Sequence, residues 1–186
     1  MPYLDNEQLA KMGFKSVGRG VQISDKASIH DADQIEIGDY SRIDDFCVIS
    51  GKVTIGRNVH FAVFCNVSGG EMGVTFEDFS GLAYGCCVFS QSDDYTGCSL
   101  TNPTVPDQYK TETKKAVHIG RHCIVGAKSV IFPGVILGEG SSVGAMSMVT
   151  KSTEPWFVYF GIPARRLRAR KQDLLTLEAD YLGEQA

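Results

Sequence analysis

The stretch "IGRHCIVGAKSVIFPGVILGEGSSVGAMSMVTK", Ile119 to Lys151, repeats with a period of six. Ile119, Val125, Ile131, Leu137, Val143 and Val149 stand six apart, and all are apolar. The same step runs upstream through Ile37, Ile43, Ile49, Ile55, Phe61 and Val67, and again through Phe76, Leu82 and Val88. A weaker pair sits at Ile23 and Ile29. Four residues after most of these positions comes a small or β-branched one: Ser41, Cys47, Val53, Val59, Cys65, Ser80, Cys86, Ser92, Cys123, Ser129, Val135, Ser141, Ser147 and Thr153. A six-residue period fits neither a helix nor a plain strand. It fits a short strand and a turn, three of which close a triangular coil with its aliphatics inside. Gly38, Gly56, Gly120, Gly126, Gly138 and Gly144 each follow an apolar position and permit close turns. The Gly, Ser and β-branched content of the stretch argues against a helix.

Working outward, the repeat covers roughly residues 21–154 and makes the chain an all-β solenoid, a parallel β-helix. Residues 1–20 form a lead-in with a short helix over 3–13, capped by Asp5 or Asn6 and ended by Gly13. Residues 155–186 form a C-terminal segment. Its run "RRLRARKQDLLTLEADYL", 165–182, reads as a helix able to cover the last coil. Two detours break the rhythm: "SGGEMGVT" at 68–75, and a long insertion at 94–118. Long loops on a rigid scaffold commonly carry function.

The chain has 186 residues and a net charge of −4, which disfavours a general nucleic-acid or membrane-surface binder. No apolar run approaches a membrane span, and "MPYLDNEQLAKMGF" lacks the features of a signal peptide, so a cytoplasmic location is expected. Six cysteines form no CxxC pair. Four of them fall in the small register and read as compact core residues.

The apolar–Gly–x–x–small–x pattern resembles the hexapeptide-repeat acyltransferases, close to the galactoside, maltose and sugar-nucleotide acetyltransferases. The segment quoted above and "YFGIPARRL" (159–167) carry the resemblance. It implies a left-handed coil, a homotrimer, and acetyl-CoA as co-substrate in a groove between two subunits, with no metal. Matched residue by residue, Ala127 and Ala145 are small positions beside the pantetheine arm, Thr150 and Lys151 follow in "VTK", and Arg165 and Arg168 meet the CoA phosphates. Arg forks suit phosphate geometry on charge grounds as well.

The sugar O-acetyltransferases of this family place a basic histidine in a "TGH" motif at the long break. Here the ungapped count puts Asp93 at that place, and matching "TG" puts Cys98 there. A carboxylate is a weaker base than imidazole by about 3.5 kcal/mol. An amine needs less help: with a pKa near that of an α-amino group, about a tenth is free base at pH 7. Asp93 and Asp94 are therefore candidate acceptor-site carboxylates for an amine, although Ser-Asp-Asp-Tyr is also good turn chemistry. His60 is the alternative base, and Glu71 and Asn102 are candidate acceptor contacts. The γ-carbonic anhydrases share this architecture, but their three zinc histidines have no counterpart here. The reading is N-acetylation of a nucleotide-linked amino sugar in bacterial surface-polysaccharide synthesis. Sugar O-acetylation and a non-catalytic scaffold are the alternatives.

Overall fold

The computed structural model describes residues 2–184. Its body is a left-handed parallel β-helix whose short strands stack into three sheets. The first sheet holds Ser16–Val17, Ile35–Ile37, Val53–Ile55, Val74–Phe76, Val117–Ile119 and Ile136–Leu137. The third holds Ser28–Ile29, Val48–Ser50, Asn66–Ser68, Cys87–Phe89, Val130–Ile131 and Met148–Val149. The second runs in parallel from Gln22–Ile23 to Ser142–Val143 and Phe157–Gly161, then ends on the antiparallel strand Ala164–Ala169.

The sixfold register explains this stacking. Ile37, Ile55, Phe76, Ile119 and Leu137 sit in line through the first sheet. Ile43, Phe61, Leu82, Val125 and Val143 do so through the second, and Ile49, Val67, Val88, Ile131 and Val149 through the third. All fifteen in-register aliphatics and aromatics are buried. Each contributes about 1.5–3 kcal/mol by leaving water. Cys47, Cys65, Cys86 and Cys123 are buried, reduced corner residues. Their Sγ atoms donate to carbonyls of the adjoining coil, as Cys47 does to Ala62 O at 3.1 Å.

The repeat glycines are there for a different reason than turn freedom. A Cβ on Gly38 would lie 2.6 Å from Gly56 C, and one on Gly126 would collide with Ala145 N. The coils approach too closely for a side chain. Positive φ falls instead on non-glycine corner residues, among them Phe46 (60°), Phe64 (67°), Lys128 (58°) and Met146 (55°). Each is held by its own N–H: Phe64 N donates to Asp45 O at 3.1 Å and Met146 N to Ala127 O at 2.8 Å.

Helix α1 (Asn6–Lys11) has a capping box, Asp5 and Gln8 exchanging side-chain-to-backbone bonds of 2.8 Å. Its Leu9 enters the core. The C-terminal run departs from the helix expected over 165–182. Residues 164–169 are a strand paired with Phe157–Gly161, and helix α2 covers only Leu174–Gly183. The exposed backbone edge of the last second-sheet strand takes up this partner, and that ladder outweighs the helical propensity of "RRLRAR". Helix α2 lies along the corner between the first and second sheets, not over the last coil. Its Tyr181 accepts from Asn58 Nδ2 at 3.0 Å, and its Glu178 meets Arg121 and, at 2.9 Å, His122.

The long excursion begins earlier than the sixfold count suggests. After Ser90 the chain forms an antiparallel ribbon, Gln91–Asp93 with Glu112–Lys114, and it rejoins the coil at Val117. Ser92 therefore sits in this ribbon and not at a coil corner. Ser90 is the buried residue there, its hydroxyl donating to Gly69 O in the shorter detour.

Candidate functional site

The ribbon places Asp93 directly opposite Glu112. Both line a cleft of about 320 Å³ with Phe89, Gln91, Tyr95 and Pro103. Asp93 accepts the backbone N–H of Asn102 at 3.3 Å and has no cation within ion-pair distance among the described residues. Asn102 adopts φ 72° and turns its side-chain oxygen to Thr104, accepting from N at 3.0 Å and Oγ1 at 2.6 Å. Glu71, in the shorter detour, stands 3.7 Å from Lys114 Nζ. Asp93 and Asn102 thus sit at the loop end of the ribbon, while Glu71 meets its coil end through Lys114.

Asp94 has a different position. Its carboxylate accepts from Thr96 Oγ1 (2.7 Å), Thr96 N (2.8 Å), Cys98 N (3.0 Å) and Ser99 N (3.2 Å). These bonds, the Thr96 hydroxyl first, hold it below the usual carboxylate range. Its oxygens are saturated by the loop they organise, which is the turn chemistry of the sequence.

His60 is elsewhere. It lies on the second sheet, lining a separate cleft of about 400 Å³ with Asn58, Phe79, Leu82 and Ile124. Its Nε2 is 2.8 Å from Asp44 Oδ2 and 3.0 Å from Arg42 Nη2. Asp44 is buried and Arg42 Nε stands 3.0 Å from its other oxygen. That nitrogen is therefore taken up within the protein, and only Nδ1 is free to meet a substrate. His118 pairs with Glu77 at 2.9 Å. His122 is buried, and burial, with Arg121 and Arg170 nearby, pushes its pKa down.

The candidate donor residues gather at the C-terminal coils. Ala127 and Ala145 lie one coil apart on the corner between the second and third sheets, joined through the Met146 N–H to Ala127 O. Thr150 and Lys151 are exposed where the chain leaves the third sheet. Arg165 and Arg168 are exposed on the final strand and form no ion pair among the described residues, whereas Arg166 is engaged by Glu154 at 2.9 Å. Burial pushes the Cys123 thiol up to about 12 and raises that of Cys87. Among the described residues no cluster of His, Cys, Asp and Glu is suited to a metal ion, and no helix is long and apolar enough to cross a membrane.

Sequence reading missed Glu112, Lys110 and Asp44. The first two carried a signal: Lys110, Glu112 and Lys114 alternate at the period of a strand.

Comparison with known proteins adds four findings. A family model described as "Hexapeptide repeat of succinyl-transferase" matches residues 116–151. The chain is 42% identical over 184 residues to a dTDP-4-amino-4,6-dideoxy-D-glucose acyltransferase of Escherichia coli, covering 97% of this chain and 95% of that one. The crystal structure of AntD, an N-acyltransferase from Bacillus cereus, in complex with dTDP and 3-hydroxybutyryl-CoA matches with a TM-score of 0.97. The identity is 45%, over 98% of this chain and 97% of that one. A mutant of AntD in complex with dTDP-4-amino-4,6-dideoxyglucose and coenzyme A matches at 0.96, with the same identity and coverage.

Proposed function

The chain belongs to the hexapeptide-repeat acyltransferases, and we propose that it moves an acyl group from acyl-CoA to the amine of a dTDP-linked 4-amino-4,6-dideoxy sugar. The observation that carries the proposal is Asp93. Where the resembling O-acetyltransferases need an imidazole, this chain presents a carboxylate with no cation on it. Such a group favours a cationic amine over a neutral hydroxyl. The full-length likeness to N-acyltransferases of such sugars points the same way.

In this mechanism the ammonium docks against Asp93 and loses a proton. The free amine attacks the thioester carbonyl, and the tetrahedral adduct collapses with loss of the CoA sulfur. The nitrogen gives up its second proton through Asp93 or water, and the thiolate takes one up. Only about 1.4 kcal/mol is needed to free the amine at pH 7 if its pKa is near 8. Arg165 and Arg168 hold the CoA phosphates, with Ala127, Ala145, Thr150 and Lys151 along the pantetheine path. We take acetyl as the acyl group, with longer chains tested beside it because AntD was crystallised with a 3-hydroxybutyryl donor. A homotrimer in the cytoplasm, serving surface-polysaccharide synthesis, completes the reading. The assembly is supported by the apolar corner beside Ala127 and Ala145, where Phe46, Phe64, Tyr84 and Met146 are exposed.

The test is acyl transfer from acetyl-CoA and longer acyl-CoAs to dTDP-4-amino-4,6-dideoxyglucose, read by thiol release. Asp93→Asn keeps the size and removes the charge, and is expected to lower kcat/KM by about 100-fold or more. If Asp93→Asn is harmless, His60→Ala is inactive and only hydroxyl acceptors react, the protein is an O-acyltransferase.

A further inference from the structure

Residues directly opposite in an antiparallel pair share a face, as do residues two apart. Gln91, Asp93, Glu112 and Lys114 therefore project from the same face of the ribbon. Two of these are carboxylates facing each other, an arrangement that is unfavourable unless one is neutralised. Glu112 is the neutralised one. Lys114 Nζ is 3.4 Å from its Oε2, and Lys110 Nζ is 3.7 Å from its Oε1. Both lysines are also gripped from outside. Glu71 holds Lys114 at 3.7 Å, and Asp107 holds the largely buried Lys110 at 3.1 Å and keeps it charged.

Lys114 is the diagonal neighbour of Asp93, a separation that a lysine side chain can span. A lysine on Asp93 would neutralise the carboxylate intended for the substrate. We propose that Glu112, assisted by Glu71, is a positioning residue that keeps Lys114 engaged, so that Asp93 faces the acceptor amine unneutralised. This role rests on the amine-acylation reading above. It also gives Glu71 a different task from the direct acceptor contact expected from sequence.

The experiment is steady-state kinetics with dTDP-4-amino-4,6-dideoxyglucose and acetyl-CoA (or the longer acyl-CoA that serves best). Glu112→Gln is expected to raise the acceptor KM by about fivefold, the upper range for an exposed ion pair, and to leave the acyl-CoA KM unchanged. Adding Lys114→Met to that variant is expected to bring the acceptor KM back towards the parent value. A lost buttress would not be rescued by deleting a second side chain. Should Glu112→Gln fail to fold, Glu71→Gln carries the test, since Glu71 is fully at the surface. A smaller rise, again reversed by Lys114→Met, is expected there. An unchanged acceptor KM, or a rise that Lys114→Met does not reverse, overturns the proposal while acyl transfer by the parent stands. A parent chain that acylates no amino sugar nucleotide fells the functional reading and this role with it.

Discussion

Asp93 and Asp94 are neighbours of one chemical type with opposite surroundings. Asp93 receives a single long N–H bond, while Asp94 receives several short ones and is held below the usual carboxylate range. A depressed folded-state pKa means that the stabilisation is present above the unfolded value, near 3.9. It is lost as pH falls through the folded value, so the loop is expected to loosen only below about pH 4. Asp94→Ala removes the acceptor at every pH. Faster hydrogen exchange at the Thr96, Cys98 and Ser99 amides near neutral pH is the expected outcome, and unchanged exchange would mean that the loop holds itself. The sequence could place this pair of aspartates at the break in the repeat but could not divide their roles. The division depends on Asn102 and Glu112, which lie nine and nineteen positions beyond Asp93 and reach it only through the ribbon.

At the level of elements, the strands were legible and the C-terminal segment was not. Each coil strand repeats a side-chain pattern that the core enforces fifteen times over, so one misread position changes little. The segment "RRLRAR" has no such support. Its Leu167 is exposed, and its strand conformation comes from Phe157–Gly161 alongside. Helix α2 depends on a polar latch: Glu178 meets Arg121 and His122 under the helix, and Phe79 packs edge-on against Tyr181. Glu178→Ala leaves His122 and Arg121 without that partner, at a cost of about 1–3 kcal/mol. A fall in Tm with the β-helix circular-dichroism signal retained is the expected result. An unchanged Tm would assign the helix's hold to Tyr181 and its leucines. His122 adds a pH dependence. Its pKa is pushed down, so stability is complete above the unfolded value of about 6.5 and declines as pH drops towards the folded one.

For the whole molecule, the corner between the second and third sheets carries a column of exposed apolar side chains. Phe46 and Phe64 are stacked with centroids 5.1 Å apart, and Phe64 is 62% exposed. Ala127 and Ala145 flank the same corner. If this is where three chains meet, Phe64→Glu places a charge in the contact. Light scattering is then expected to give a monomer, with acyl-CoA binding lost alongside assembly. A variant that keeps the parent's mass and donor affinity would move the contact to another face. The ends of the coil have a separate consequence. A β-helix is in principle a filament of unlimited length, since each coil offers the next a full set of hydrogen-bonding partners. Here the last second-sheet strand is already occupied by a strand that runs the wrong way for another coil and carries three arginines, Arg165, Arg166 and Arg168. At the other end, Leu4 N donates to Ile23 O and Tyr3 pairs antiparallel with Ser24. The second sheet is therefore closed at both tips by antiparallel segments, which opposes end-to-end stacking along that face and helps a protein built like a fibril remain a discrete particle.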